Sequence, residues 1–223
     1  MLLAFAGLKG GAGKSTASIA VACELARRGR GVLLVDADPQ GTCSTWAAVA
    51  AENGHPAPAL VAMGATMHRE GQLARVSAPF DVTIVDCPPR HDAIQRSALM
   101  VADVVILPCG PSAADAWALA SSVELVEGAR TVRPALRAAV LLTRAQRGTT
   151  LAKSARGVLE GGGLPILDAE LAYRVAYQEA LAAGQGVTDY APKDAAAAEV
   201  RALVDELERF AQAPSARKGP THA

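Results

Sequence analysis

Apolar residues along this chain follow two different periods. Short continuous runs at Leu2 to Leu8, Gly31 to Val35, Asp81 to Val85, Val104 to Leu107, Ala138 to Thr143 and Leu164 to Leu167 read as strands buried on both faces. Between them, apolar positions recur at helical spacing. These segments predict helices at Thr16 to Arg28 (stopping at Gly29), Cys43 to Glu52, Glu70 to Val76, Ala93 to Val101, Ala113 to Thr131, Leu151 to Leu159, Val175 to Ala183 and Ala195 to Ala211. A Pro/Gly-containing stretch after Glu52 carries no clear period. Strand and helix alternating in this way predict an α/β fold, a mainly parallel twisted sheet with right-handed crossovers and helices on both faces. Ligands of such sheets bind outside the carboxyl ends of the strands.

Composition narrows this picture. The chain has 223 residues, enough for one domain with its own core, expected over residues 1–212; the last stretch, APSARKGPTHA at 213–223, reads as a disordered tail. It is 51% hydrophobic but only 4% aromatic, so the core must be built from Ala, Val, Leu and Ile. The net charge of zero argues against a uniformly basic nucleic-acid binder. Cys23, Cys43, Cys87 and Cys109 form no CxxC pair, which speaks against a zinc site or a disulfide framework. The first apolar run is too short for a signal peptide or membrane span, so a soluble cytoplasmic protein is expected.

The chemistry begins at GLKGGAGKST, residues 7 to 16, where a strand gives way to a helix. Backbone N–H groups and the positive helix end attract phosphate there. Gly10, Gly11 and Gly13 are expected to take positive φ and, with Ala12, to bring the backbone close to the phosphate oxygens. Lys14 can reach the β- and γ-phosphates, Ser15 can ligate Mg²⁺, and Thr16 can support the α-phosphate side. Two further segments end strands in carboxylates. In VLLVDADPQG, Asp36 and Asp38 would point the same way if the strand continued through them, and DVTIVDCPP ends at Asp86. An aspartate at a strand end is also a common turn former. Three of them beside a phosphate loop nevertheless suit Mg²⁺ and an attacking water.

The ordinary P-loop pattern wants a glycine where this chain has Leu8, and Lys9 heads KGGAGKST instead. That form resembles the deviant Walker A motif of the ParA/MinD superfamily of P-loop ATPases. The likeness extends over residues 1 to about 210 through DADPQGTCSTW, VVILPCGPSAAD and LLTR, and is strongest to the small ParF-type branch, which lacks a helix-turn-helix domain. The resemblance implies ATP and Mg²⁺ as ligands and a nucleotide-sandwich homodimer in which Lys9 reaches the partner's ATP. It implies that Asp38 positions the attacking water, that Asp36 and Asp86 join Ser15 around the metal, and that Cys87 to Arg90 form a switch sensing the γ-phosphate. Thr143 and Arg144 become candidates for base recognition, and PSAAD resembles the proline-containing loop of the dimer face.

Charge distribution points to a partner. Arg130 to Arg156 carries Arg130, Arg133, Arg137, Arg144, Arg147, Lys153 and Arg156 with no Asp or Glu, whereas acids gather in the last helix. Such a segment can hold a phosphate backbone without reading bases, or can simply be solvated. By resemblance, Arg144, Arg147, Lys153, Arg156 and Arg174 are candidates for nonspecific DNA binding, although Ala176 stands where the family usually has an arginine. The expected function is ATP-dependent plasmid or chromosome partition on the nucleoid, stimulated by a ParB/ParG-like centromere-binding or cargo adaptor protein. Non-DNA cargo, or an ATP-dependent ligase of dethiobiotin-synthetase type, is the alternative. No membrane partner is expected, because the tail has no apolar face beyond Phe210. Cys87 reads as a buried structural thiol rather than a cluster ligand, and no NKxD string favours GTP.

Overall fold

The computed structural model describes residues 1–90, 92–145, 156–157, 159 and 161–213. Seven strands form one sheet in the order β3-β2-β4-β1-β5-β6-β7. They are β1 (Leu2–Phe5), β2 (Val32–Asp36), β3 (Ala59–Ala62), β4 (Val82–Asp86), β5 (Val104–Cys109), β6 (Arg137–Ala145) and β7 (Ile166–Ala172), and every neighbouring pair is parallel. The helices are α1 (Lys14–Arg27), α2 (Thr42–Glu52), α3 (Leu73–Ser77), α4 (Asp92–Val101), α5 (Ala113–Arg130), α6 (Val175–Ala182), α7 (Val187–Tyr190) and α8 (Ala195–Gln212).

The alternation of side chains along each strand divides the core into two layers. Leu3, Phe5, Leu34, Ile84, Ile106 and Leu141 face α1, α2, α6 and α8. Ala4, Leu33, Val35, Val85, Val105 and Leu107 face α3, α4 and α5. Both faces of the central strands are therefore dry, which is why their sequences are continuous apolar runs with no polar alternation.

Several boundaries differ from the sequence-based expectation. β1 ends at Phe5 because Gly7 leaves the extended conformation, with φ +136°. The Pro/Gly-containing stretch holds β3, an edge strand whose four apolar residues, ALVA, are partly exposed and too few to stand out as a run. β7 runs on to Ala172; the polar Asp168 and Glu170 within it had hidden its length. The short α7 carries too few residues to show a helical period. Most of the predicted helix at 151–159, the candidates Arg147 and Lys153, and the tail beyond 213 lie outside the described residues.

Candidate nucleotide-binding site

The carboxyl ends of β1, β2, β4 and β6 converge on one cleft of about 590 Å³. Gly11, Gly13, Lys14, Ser15 and Thr16 line its floor, Asp38, Gln40, Thr42 and Pro89 one side, and Thr143, Arg144, Tyr173, Arg174, Tyr177 and Gln178 the other. The strand order fixes this polarity. β2 and β4 stand on one side of β1 and deliver the acids, while β5, β6 and β7 stand on the other side.

The loop after β1 has the shape that phosphate requires. Gly11 and Gly13 sit at φ +71° and +86°, and Gly13 is the N-cap of α1, so the first amides of that helix open into the cleft. Gly10, expected to share the left-handed conformation, does not; Gly7 and Gly11 take the positive φ on either side of it. Ala12 is buried, and its carbonyl accepts the Thr143 hydroxyl at 2.8 Å. Arg144 donates to the Gly11 carbonyl at 3.0 Å. Both contacts come from an irregularity between β6 and β7, where the register shifts between Thr143 and Ala145 and Arg144 adopts φ +57°. A bulge of this kind re-aims side chains, and here it turns two of them onto the carbonyls of the glycine-rich loop.

The two lysines of the loop face different places. Lys14 is buried in the cleft floor, and its ammonium donates to the Lys9 carbonyl at 2.9 Å. Burial lowers its pKa, opposed by the nearby carboxylates of Asp86 and Asp38. Lys9 lies outside the cleft, 38% exposed, with its ammonium 2.6 Å from Asp115 Oδ1 near the start of α5. Asp115 and Ser112 form the capping box of that helix. Burial alone would raise the Asp115 pKa, but hydrogen bonds from Lys9 and Ser112 hold the carboxyl below its usual range.

The carboxylates divide as well. The chain turns immediately after β2, so Asp36 and Asp38 do not share a strand face. The Asp36 carboxylate accepts the Ser44 amide and hydroxyl at 2.8 and 2.6 Å at the start of α2, while Asp38 accepts the Gln40 amide at 2.9 Å on the cleft wall. Asp86 is fully buried beside Asp36 in the register. Burial raises its pKa to about 6, partly offset by hydrogen bonds from Ser15, Cys43 and Ser18. Ligand atoms of Asp36, Cys43 and Asp86 lie within 4.8 Å of one another. Two carboxylates with the Ser15 hydroxyl close by are hard oxygen donors of the kind Mg²⁺ takes. Cys87 is buried, and burial pushes its thiol well above the usual range.

Two residues of this region escaped the sequence reading. Gln95 on α4 is fully buried; its amide bonds Gly7 in both directions and the Pro88 carbonyl at 3.0 Å, tying the entry of the phosphate loop to the segment after β4. The available signal was a polar residue in the apolar stripe formed with Ala98, Leu99 and Ala102. Asp115, inside the quoted PSAAD, is the second, and its partner lies 106 positions away. Among the candidate DNA contacts, Arg156 pairs with Asp168 and Glu170, and Arg174 pairs with the buried Glu199 at 2.7 Å.

Comparison with known proteins adds an independent line. Residues 3–187 match the CobQ/CobB/MinD/ParA nucleotide binding domain. The maintenance of carboxysome distribution protein A of Halothiobacillus neapolitanus is 33% identical, over 92% of this chain and 95% of its own length. The chromosome partitioning protein ParA of Caulobacter vibrioides is 30% identical, over 96% and 97%. In fold, cobyrinic acid a,c-diamide synthase of Mycobacterium smegmatis, solved with an ATP analog and magnesium, superposes with a TM-score of 0.75 at 23% identity, over 100% and 99% of the two chains.

Proposed function

The chain belongs to the CobQ/CobB/MinD/ParA nucleotide-binding family, and from that premise we propose that it is a ParA-type ATPase that binds MgATP, pairs with a second copy through it, and positions cargo over DNA. The observation that supports this reading is the divergence of the two loop lysines. Lys14 belongs to the cleft of its own chain, whereas Lys9 lines a groove outside it, where only a phosphate delivered by another molecule can meet it.

In this reading the acids at the ends of β2 and β4 would face the γ-phosphate, and Tyr173, Tyr177 and Gln178 on the other wall would hold the nucleoside. Gly10 to Gly13 and Thr16 hold the phosphates, and Thr143 and Arg144 fix the loop through its carbonyls. Ser15, Asp86 and Asp36 hold Mg²⁺, which when bound supplies charge neutralisation at the β- and γ-oxygens. Asp38, free of the sheet and on the cleft wall, orients the attacking water. Lys9 of the partner adds the second cation as charge moves toward the leaving oxygen. Loss of the γ-phosphate then removes the bias toward the paired state, so nucleotide chemistry times association.

The sequence alone pointed to plasmid or chromosome partition with a ParB/ParG-like stimulating partner, and the likeness to ParA supports that cargo. A second reading, in which the cargo is a protein assembly, rests on the likeness to the carboxysome distribution protein. Plasmid loss on deletion of the gene supports the first; an unevenly distributed protein body with stable plasmids supports the second. At the bench, Lys9→Ala is expected to bind ATP but to hydrolyse it at least about a hundredfold more slowly, while Asp38→Ala retains ATP and stays dimeric longer. Normal hydrolysis by a monomeric Lys9→Ala chain would falsify the sandwich mechanism.

A further inference from the structure

Trp117 is 76% exposed on α5, far more than any other aromatic residue among those described, and neither the cleft nor the core uses it. It follows the Lys9 partner Asp115 by two positions. Ala114 and Ser121, which flank it at i−3 and i+4, line with Ala118 the groove that also holds Leu8, Lys9, Arg90 and Asp92. The exposed residues nearest it on α5 are small, Ala113, Ala114, Ala120 and Ser121, with Glu124 one turn further along.

From this placement we propose that Trp117 is the apolar anchor of the ATP-dependent contact, and that the occupant of the α5 face is a second copy of this chain. The inference rests on the sandwich reading of Lys9. A surface that brings a phosphate to Lys9 from outside must lie over the groove in which Lys9 stands, and the α5 face is continuous with that groove. Small side chains allow a backbone to approach closely, and a large aromatic among them supplies the area that dominates interface energetics. The groove carries Lys9 and Arg90 with one acid, Asp92, and Lys9 is answered by Asp115, so the occupant follows from continuity: a copy that brings ATP phosphate to Lys9 also covers α5. A two-fold contact would bury one such tryptophan from each copy.

The chain has two tryptophans, and the other, Trp46, is 3% exposed and donates to the Gln185 carbonyl. Intrinsic fluorescence therefore reports on Trp117, with Trp117→Phe as the blank. With a nonhydrolysable ATP analogue and Mg²⁺, native emission is expected to shift to the blue and lose iodide quenching over the concentration range in which sedimentation shows the dimer. Trp117→Ala is expected to keep its melting temperature and its affinity for the analogue but to need at least about thirtyfold more protein to dimerise, the size of an interface hot spot. Trp117→Phe should recover most of that loss. A native dimer whose Trp117 emission is unchanged, or a Trp117→Ala chain that pairs like the native one, overturns the anchor and leaves the sandwich standing. A native chain that stays monomeric with the analogue overturns both.

Discussion

Asp86 shows how much of this site depends on single side chains. Its carboxyl is buried next to Asp36, and the hydroxyl and thiol donors around it only partly compensate for the loss of water. Because its folded pKa is raised, its contribution to stability is fully present below the ordinary carboxylate value and is lost as pH rises through about 6. In chelator and without nucleotide, Asp86→Asn should therefore be more stable than the native chain at pH 7 by about 3 kcal/mol, and the advantage should vanish near pH 4. Denaturant titration at the two pH values measures this, and an advantage that does not depend on pH would remove the buried charge as its cause. The acid positions were legible in the sequence because strand ends are marked by local patterning. Their separate duties were not. Asp36 turns to Ser44 and Asp38 to Gln40 because the chain leaves the strand at once, and no periodicity announces that turn.

At the scale of elements, the alternation of strand and helix was readable over most of the chain, since both faces of the central strands are covered and their apolar runs are continuous. The elements it missed, β3 and α7, are short and lie where few residues carry a period. Contacts between elements were not readable at all. Gly184, after α6, sits at φ +70°, and a Cβ there would stand 2.4 Å from the Ala50 amide nitrogen on α2. Backbone cannot move aside as a flexible side chain can, so Gly184→Ala should lower stability by about 3 kcal/mol or more. Thermal unfolding tests it; a melting temperature like that of the native chain would mean that α2 and α6 can separate without cost. The same kind of contact explains Gln95, which joins the backbone of Gly7 to that of Pro88, two residues far apart in sequence.

For the molecule as a whole, charge segregation was visible in the sequence, but its meaning changed with the fold. Arg156 and Arg174 are engaged by Glu170 and Glu199, so their charges are largely answered within the chain. Nonspecific DNA binding, if carried by this region, then falls to Arg147 and Lys153, which lie outside the described residues, together with Arg144. Arg147→Glu with Lys153→Glu should weaken DNA binding uniformly across sequences and reduce the salt slope of log K by about 2, with nucleotide affinity unchanged. An unaltered slope in filter binding would place the DNA contact elsewhere. Among the described residues, no helix is long and apolar enough to cross a membrane.

By itself the sequence determined the order of most strands and helices along the chain, the glycine-rich loop and acids that the fold gathers at one sheet edge, and the family, because these depend on spacing within a few turns or one strand. Only the tertiary structure decided where each side chain points. Lys14 faces inward and Lys9 outward, Arg144 is turned onto the phosphate loop by a bulge, and Trp117 is left in water beside that loop. Lys9 and Arg144 are settled by partners brought near through the sheet from far along the chain, Asp115 and Gly11, and such neighbours leave no periodic trace in a sequence.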